Sequence, residues 1–207
     1  MPLEVFLSLD LVDLNEALDI AEKAHSAGFR NFEAGTPLIK SVGMISVRKL
    51  RDKFPEVVIF ADTKTMDTGY LEAQLAFSSG ADIMSVMAVA PDETIREAVR
   101  RAREEGKDVL ADTLGIRDLE SRIARVIELG VDRICIHKGV DEGIFSDYEI
   151  LDRMKGCGVK LGIAGGIDAS TIREVARRVD FVMVGRAVTR AADPRKAAED
   201  ILKAAFQ

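Results

Sequence analysis

Eight short, nearly continuous apolar runs recur along the chain: Val5–Leu9, Asn31–Ala34, Val57–Ala61, Ile83–Met87, Val109–Ala111, Arg133–Ile136, Lys160–Ile163 and Phe181–Val184. Unbroken apolarity, as opposed to strict alternation, is what a strand needs when both of its faces are covered, and that arrangement belongs to parallel sheets flanked by helices. The segments between the runs fit that reading. Leu14-Ala17-Leu18-Ala21, Leu71-Leu75, Ile95-Val99-Ala102 and Ile123-Val126-Ile127 repeat at three- and four-residue steps, the spacing of one helix face. Gly28, Gly80, Gly106, Gly130 and Gly158 stand shortly before strands, where helices close. Asp13, Asp67, Asp118, Asp168 and Asp193 stand near the opposite ends, where a carboxylate can cap free N–H groups.

Eight strand–helix units at intervals of roughly 20–30 residues predict a (β/α)8 TIM barrel. The competing α/β fold is a doubly wound sheet, but no G-x-G-x-x-G follows the first strand. No linker-like stretch divides residues 1–207, so a single barrel domain is expected. A net charge of −6 without a basic block argues against a nucleic-acid groove. No 18-residue apolar run is available to cross a membrane. The two cysteines form no C-x-x-C pair, which fits reduced thiols. The N-terminus lacks the basic and apolar regions of a signal peptide, and a cytoplasmic location is expected.

In a barrel of this kind chemistry sits at the C-terminal ends of the strands. Those ends carry Asp10, Glu33, Asp62 with Lys64, Asp112 and His137; the seventh ends in Gly165-Gly166 and the eighth in Gly185-Arg186, each read as directly preceding a helix, and the fourth, Met84–Val89, is bland. Asp62 and Lys64, two residues apart, would share a strand face, and Asp67 follows where the chain turns into helix. Two readings of this stretch stand. It is an ion pair with a helix cap, or it is a cation kept protonated by acids and placed to stabilise a developing anion. Glu33 and Asp62 end neighbouring strands and could hold Mg²⁺ together with water and substrate oxygens. Two histidines far apart in sequence do not suit zinc. His137 is either a base or a core histidine with a satisfied ring, and His25 reads as a surface residue. Gly165, Gly166, Gly185 and Arg186 make either tight turns or the phosphate site that barrels often build after strands seven and eight.

The stretches LSLD with Asp10, FEAGTPLI with Glu33, FADTKTMDTG, GIAGGI and VGRAVT, in this order along essentially the whole chain, resemble the orotidine monophosphate decarboxylase superfamily. Glu33 stands where the decarboxylases that need no metal carry lysine, so the chain is similar to the metal-dependent branch, and within it to the 3-hexulose-6-phosphate synthases. In the branch that decarboxylates 3-keto-L-gulonate 6-phosphate, a glutamate would be expected at Asp112 and an arginine near Val140. Lys138, in HKGVD, departs from the usual synthase stretch.

The resemblance implies a reversible, Mg²⁺-dependent aldol reaction between formaldehyde and D-ribulose 5-phosphate through a 1,2-enediolate. It implies metal ligands Glu33 and Asp62, base His137, cation Lys64, and phosphate groups Gly165, Gly166, Gly185 and Arg186. Asp10 and Asp112 would bind substrate hydroxyls or relay protons. Asp67 would orient Lys64 across the interface of a homodimer. Decarboxylation of 3-keto-L-gulonate 6-phosphate and a non-catalytic sugar-phosphate-binding barrel are the alternative readings.

Overall fold

A computed structural model describes residues 2–143 and 148–207 of the chain, with position 142 described in its backbone alone. The strands are β1 (Glu4–Leu9), β2 (Asn31–Ala34), β3 (Val58–Thr65), β4 (Ile83–Met87), β5 (Asp108–Asp112), β6 (Arg133–His137), β7 (Lys160–Ala164) and β8 (Phe181–Val184). Each pairs in parallel with its sequence neighbour, and β8 pairs with β1, so the sheet closes into a barrel. The helices are α1 (Leu14–Ala27), α2 (Thr36–Val42), α3 (Ile45–Lys53), α4 (Gly69–Ser78) and α5 (Asp92–Glu105) in the first half. The second half adds α6 (Leu119–Glu128), α7 (Glu149–Met154), α8 (Thr171–Val175), α9 (Arg186–Thr189) and α10 (Pro194–Phe206). Among the described residues no helix is long and apolar enough to cross a membrane.

Three of the expected aspartate caps form, whereas Asp67 does not cap α4, whose N-cap Thr68 makes no side-chain cap bond. Asp13, Asp118 and Asp193 accept backbone N–H bonds from Glu16, Ser121 and Lys196 at 2.9, 3.2 and 3.0 Å. Each satisfies a donor that the first turn of a helix leaves free. His25 lies near the surface with intermediate exposure, its ring centre 5.0 Å from that of Phe54.

Strand alternation sorts the side chains into two cores. Outward residues such as Leu7, Ile59, Val109 and Ile134 pack under the helices. Inward residues stack in layers. At the N-terminal end Arg133 bonds to Glu4 and to Asp108 at 2.5 and 2.8 Å, and Lys160 also pairs with Glu4. The middle layer is apolar, with Phe6, Phe60, Ile83, Leu110, Cys135, Phe181 and Met183. Phe6 meets the edges of Phe60 and Phe181 with ring centres 6.4 and 6.2 Å apart. Above this plug the inward positions turn polar: Ser8, Glu33, Asp62, Ser85, Asp112 and His137. The apolar layer closes the barrel from below, so the polar layer opens only towards the C-terminal mouth.

Two elements depart from the sequence reading. β3 runs on through Asp62-Thr63-Lys64-Thr65, where charge suggested that the strand ends at Ala61. Its register slips: Ala61 faces Met84 and Thr65 faces Val86, so four steps on β3 match two on β4. The simple rule that residues two apart share a face therefore does not govern Asp62 and Lys64. Gly165-Gly166 also do not lead directly into a helix. α8 starts at Thr171, after a turn in which Asp168 accepts the N–H groups of Ser170 and Thr171 at 2.8 and 3.0 Å.

Candidate active site

The bulge in β3 builds the centre of the mouth. Lys64 has φ of 46° and Thr68 has φ of 51°, the only non-glycine residues at positive φ among those described. The left-handed region costs an ordinary residue about 1–2 kcal/mol, so surrounding bonds must hold it. Lys64 N–H donates to Ser85 Oγ at 2.9 Å, and Thr63 Oγ1 donates to the Ser85 carbonyl at 2.7 Å. In this conformation Lys64 Nζ reaches Asp62 Oδ2 at 2.9 Å and Asp112 Oδ2 at 2.7 Å.

Asp112, nearly fully buried at the end of β5, holds two groups. Besides Lys64 it meets His137 Nδ1, with 2.9 Å from Oδ2 and 3.1 Å from Oδ1, and Leu114 N–H donates to Oδ1 at 2.9 Å. Burial alone would raise its pKa, but the His137 bond and the charges of His137 and Lys64 bring it down to about 2. Burial likewise works against the Lys64 ammonium. The charges and hydrogen bonds of Asp62 and Asp112 outweigh that and push its pKa above the ordinary lysine value. Lysine and imidazole are thus fixed on one carboxylate, the lysine charged.

The other half of the mouth is crowded with acid. Glu33, at 6% exposure, accepts a hydrogen bond from Ser8 Oγ. Burial first, then the charges of Asp62 and Asp10, raise its pKa well above the usual carboxylate range. Asp10 stands at the solvent edge as a residue, yet desolvation of its carboxyl and the charge of Asp62 raise its pKa too. Asp62 is held by Ser85 Oγ on Oδ1 and by Thr36 Oγ1 on Oδ2, both at 2.7 Å. Lys64 is the ammonium that pairs with Asp62, and among the described residues Glu33 forms no ion pair with a cationic side chain. That is the electrostatic setting a divalent cation relieves. Among the described residues no three acidic, histidine or cysteine side chains gather as a complete protein ligand set. Two carboxylates suffice for Mg²⁺, which keeps water and substrate oxygens as its other ligands. Glu33 and Asp62 therefore fit the ion.

Gly35 admits Asp10 to this group. A Cβ at position 35 would lie 2.1 Å from Asp10 Oδ1. Across the mouth Gly165, at φ of 106°, follows β7 so tightly that a Cβ would come within 2.6 Å of the Lys138 carbonyl. Gly166 shares the positive φ, Gly185 caps α9, and Arg186 opens that helix with an exposed side chain whose charge acts on Asp10. Asp10, Glu33, Asp62, Lys64, Asp112 and His137 are brought together, with the four phosphate candidates at the β7 and β8 ends. Asp67 is not brought to Lys64 within the chain. It is exposed, and its carboxylate accepts Thr68 N–H at 2.7 Å.

Four side chains of the site escaped sequence reasoning: Ser8, Thr36, Ser85 and Thr113, whose Oγ1 accepts His137 N–H at 3.1 Å. Ser85 makes the fourth strand, taken as bland, part of the site. The available signal was a lone serine inside an apolar run, IMSVM in β4 and VFLSL in β1.

Residues 4–201 match the Orotidine 5'-phosphate decarboxylase / HUMPS family. The chain belongs to this family. A 3-hexulose-6-phosphate synthase of Bacillus subtilis (strain 168) is 37% identical over 202 residues, 95% of each chain. One of Mycobacterium gastri is 34% identical over 199 residues, covering 94% of this chain and 96% of the relative. The crystal structure of the Salmonella typhimurium 3-hexulose-6-phosphate synthase superimposes with a TM-score of 0.93 at 33% identity, covering 99% of both chains. A 3-keto-L-gulonate-6-phosphate decarboxylase, that of Vibrio cholerae, shares the fold at 24% identity and a TM-score of 0.87, over 99% of this chain and 98% of that one. These relatives match the chain over nearly its whole length and nearly their own.

Proposed function

We propose that this chain is an aldehyde-lyase that joins formaldehyde to C1 of D-ribulose 5-phosphate, giving D-arabino-3-hexulose 6-phosphate, and cleaves that product in reverse. The observation that carries the reading is the shared carboxylate: Asp112 holds a charged lysine and an imidazole side by side in the mouth. A module that only bound sugar phosphates would need neither. The synthase names of its relatives supply the substrates.

The residues divide the work. With Nδ1 occupied by Asp112, His137 presents Nε2 as the base that takes a proton from C1. Asp112 then stabilises the imidazolium, as a buried carboxylate does for a catalytic histidine. Lys64, kept protonated, faces the negative charge that grows on the sugar oxygens of the 1,2-enediolate. C1 of that intermediate bonds to the formaldehyde carbon, and the former aldehyde oxygen takes up a proton. Glu33 and Asp62 would hold Mg²⁺, which when bound polarises sugar oxygens as a Lewis acid. Asp10 meets substrate hydroxyls. Gly165, Gly166, Gly185 and Arg186 take the phosphate, Arg186 through charge-assisted bonds.

A homodimer completes this reading. Asp67 is flanked by Met66, Leu71 and Leu75, which are 48%, 53% and 47% exposed. Apolar side chains grouped in this way on β3's outgoing loop and α4 suit burial against a second copy. Such burial would carry Asp67 towards the lysine of the other copy. The reaction is tested by mixing the purified protein with ribulose 5-phosphate, ¹³C-formaldehyde and Mg²⁺. Label appearing in a hexulose phosphate supports it; unreacted formaldehyde alongside an intact sugar overturns it.

A further inference from the structure

We infer that Ser85 is the positioning residue for Lys64, an assignment that rests on the reaction proposed above. Ser85 is fully buried in β4, at 0% exposure. A hydroxyl carries one proton and accepts through its lone pairs. Here the proton goes to Asp62 Oδ1 at 2.7 Å, which leaves the oxygen to accept Lys64 N–H at 2.9 Å. One atom thereby ties a metal-ligand candidate to the backbone of the catalytic lysine.

The tie falls where the chain most needs it. Lys64 sits at φ of 46° within the register slip of β3, a conformation that an L-residue leaves unless held. Neither of its flanking residues is a glycine that would relax the turn. The Ser85 carbonyl receives Thr63 Oγ1 at 2.7 Å, so one residue of β4 grips both Thr63 and Lys64. Removing the hydroxyl frees the Lys64 N–H and loosens one arm of Asp62. The ammonium then loses its aim at the developing oxyanion, while the phosphate end of the mouth is untouched. The loss should therefore appear in kcat before KM.

Two variants separate this role from simple packing. Ser85→Ala deletes the oxygen; Ser85→Cys keeps the branching with a somewhat larger atom that is a poor acceptor and donor. Both should lower kcat roughly 10- to 100-fold, with KM for ribulose 5-phosphate within about threefold, because small misplacement of a catalytic group is costly. In the resting protein, NMR should show the Lys64 amide exchanging with solvent roughly tenfold faster or more in both variants. A cysteine variant as active as the parent would overturn the inference, as would a Lys64 amide equally protected in all three proteins. If the alanine variant does not fold, the cysteine variant supplies both readouts. Absence of condensation by the parent protein would sink the reaction reading instead, and the amide exchange would still decide whether Ser85 holds Lys64.

Discussion

Lys64 Nζ lies 2.7 Å from Asp112 Oδ2, an oxygen that also stands 2.9 Å from His137 Nδ1. The two residues are 48 positions apart in the chain, and β4, which pairs with both β3 and β5, brings them together. A cation and a base on one carboxylate cannot be altered singly without effect on the other.

Replacing Lys64 by Ala removes the charge aimed at the enediolate. Turnover should fall on the order of 100- to 1000-fold or more, the loss that follows deletion of an oxyanion donor. The circular dichroism of the variant, recorded well below its melting transition, should match the parent, since no strand-pairing hydrogen bond uses the ammonium. Rates like those of the parent would remove Lys64 from the mechanism.

Glu33→Gln should separate the metal role from folding. The folded pKa of Glu33 lies above its ordinary 4.5. Below that pH the carboxyl is protonated in both folded and unfolded chains. As pH rises past it, the unfolded chain ionises freely and the folded chain does not, so stability is lost. Without metal at pH 8, Glu33→Gln should therefore melt higher than the parent. Added Mg²⁺ should stabilise the parent and leave the variant unmoved. A thermal-melt series with equal Mg²⁺ response in both would refute the ligand role.

Arg186→Ala should weaken phosphorylated sugars selectively. A loss of charge-assisted bonds to phosphate amounts to a rise in KM of about 10- to 100-fold. Binding of D-ribulose itself should change little. Calorimetry showing equal loss for both sugars would move the phosphate away from the β8 end.

Leu71→Glu places a charge on the exposed apolar face of α4. Sedimentation should show the parent as a dimer and the variant as a monomer of low activity, with the Lys64–Asp112 pair intact. A parent that sediments as a monomer while fully active would exclude the delivery of Asp67 from a second copy.

The barrel was legible because its information is local: apolar runs, helix periodicity and aspartate caps each need only a few neighbouring residues. The strand ends then located Asp10, Glu33, Asp62, Lys64, Asp112 and His137. The β3 bulge was hidden because DTKT is polar and reads as a loop until β4 supplies its bonding partners. Ser8 and Ser85 look like minor interruptions of apolar strands, and their importance comes from Glu33, Asp62 and Lys64 on neighbouring strands. The need for glycine at position 35 follows from where Asp10 Oδ1 lies, a relation across 25 residues that no local pattern encodes.

The central claim is that His137, held by Asp112 beside Lys64, takes the C1 proton of ribulose 5-phosphate to form an enediolate. Exchange of that proton with solvent deuterium, followed by NMR in the presence of Mg²⁺ and without formaldehyde, tests it most directly. Stereospecific exchange at C1, abolished in His137→Asn and converted to hexulose phosphate when formaldehyde is added, is the expected result. Full C1 protonation after prolonged incubation with active protein, or exchange undiminished in His137→Asn, would contradict it.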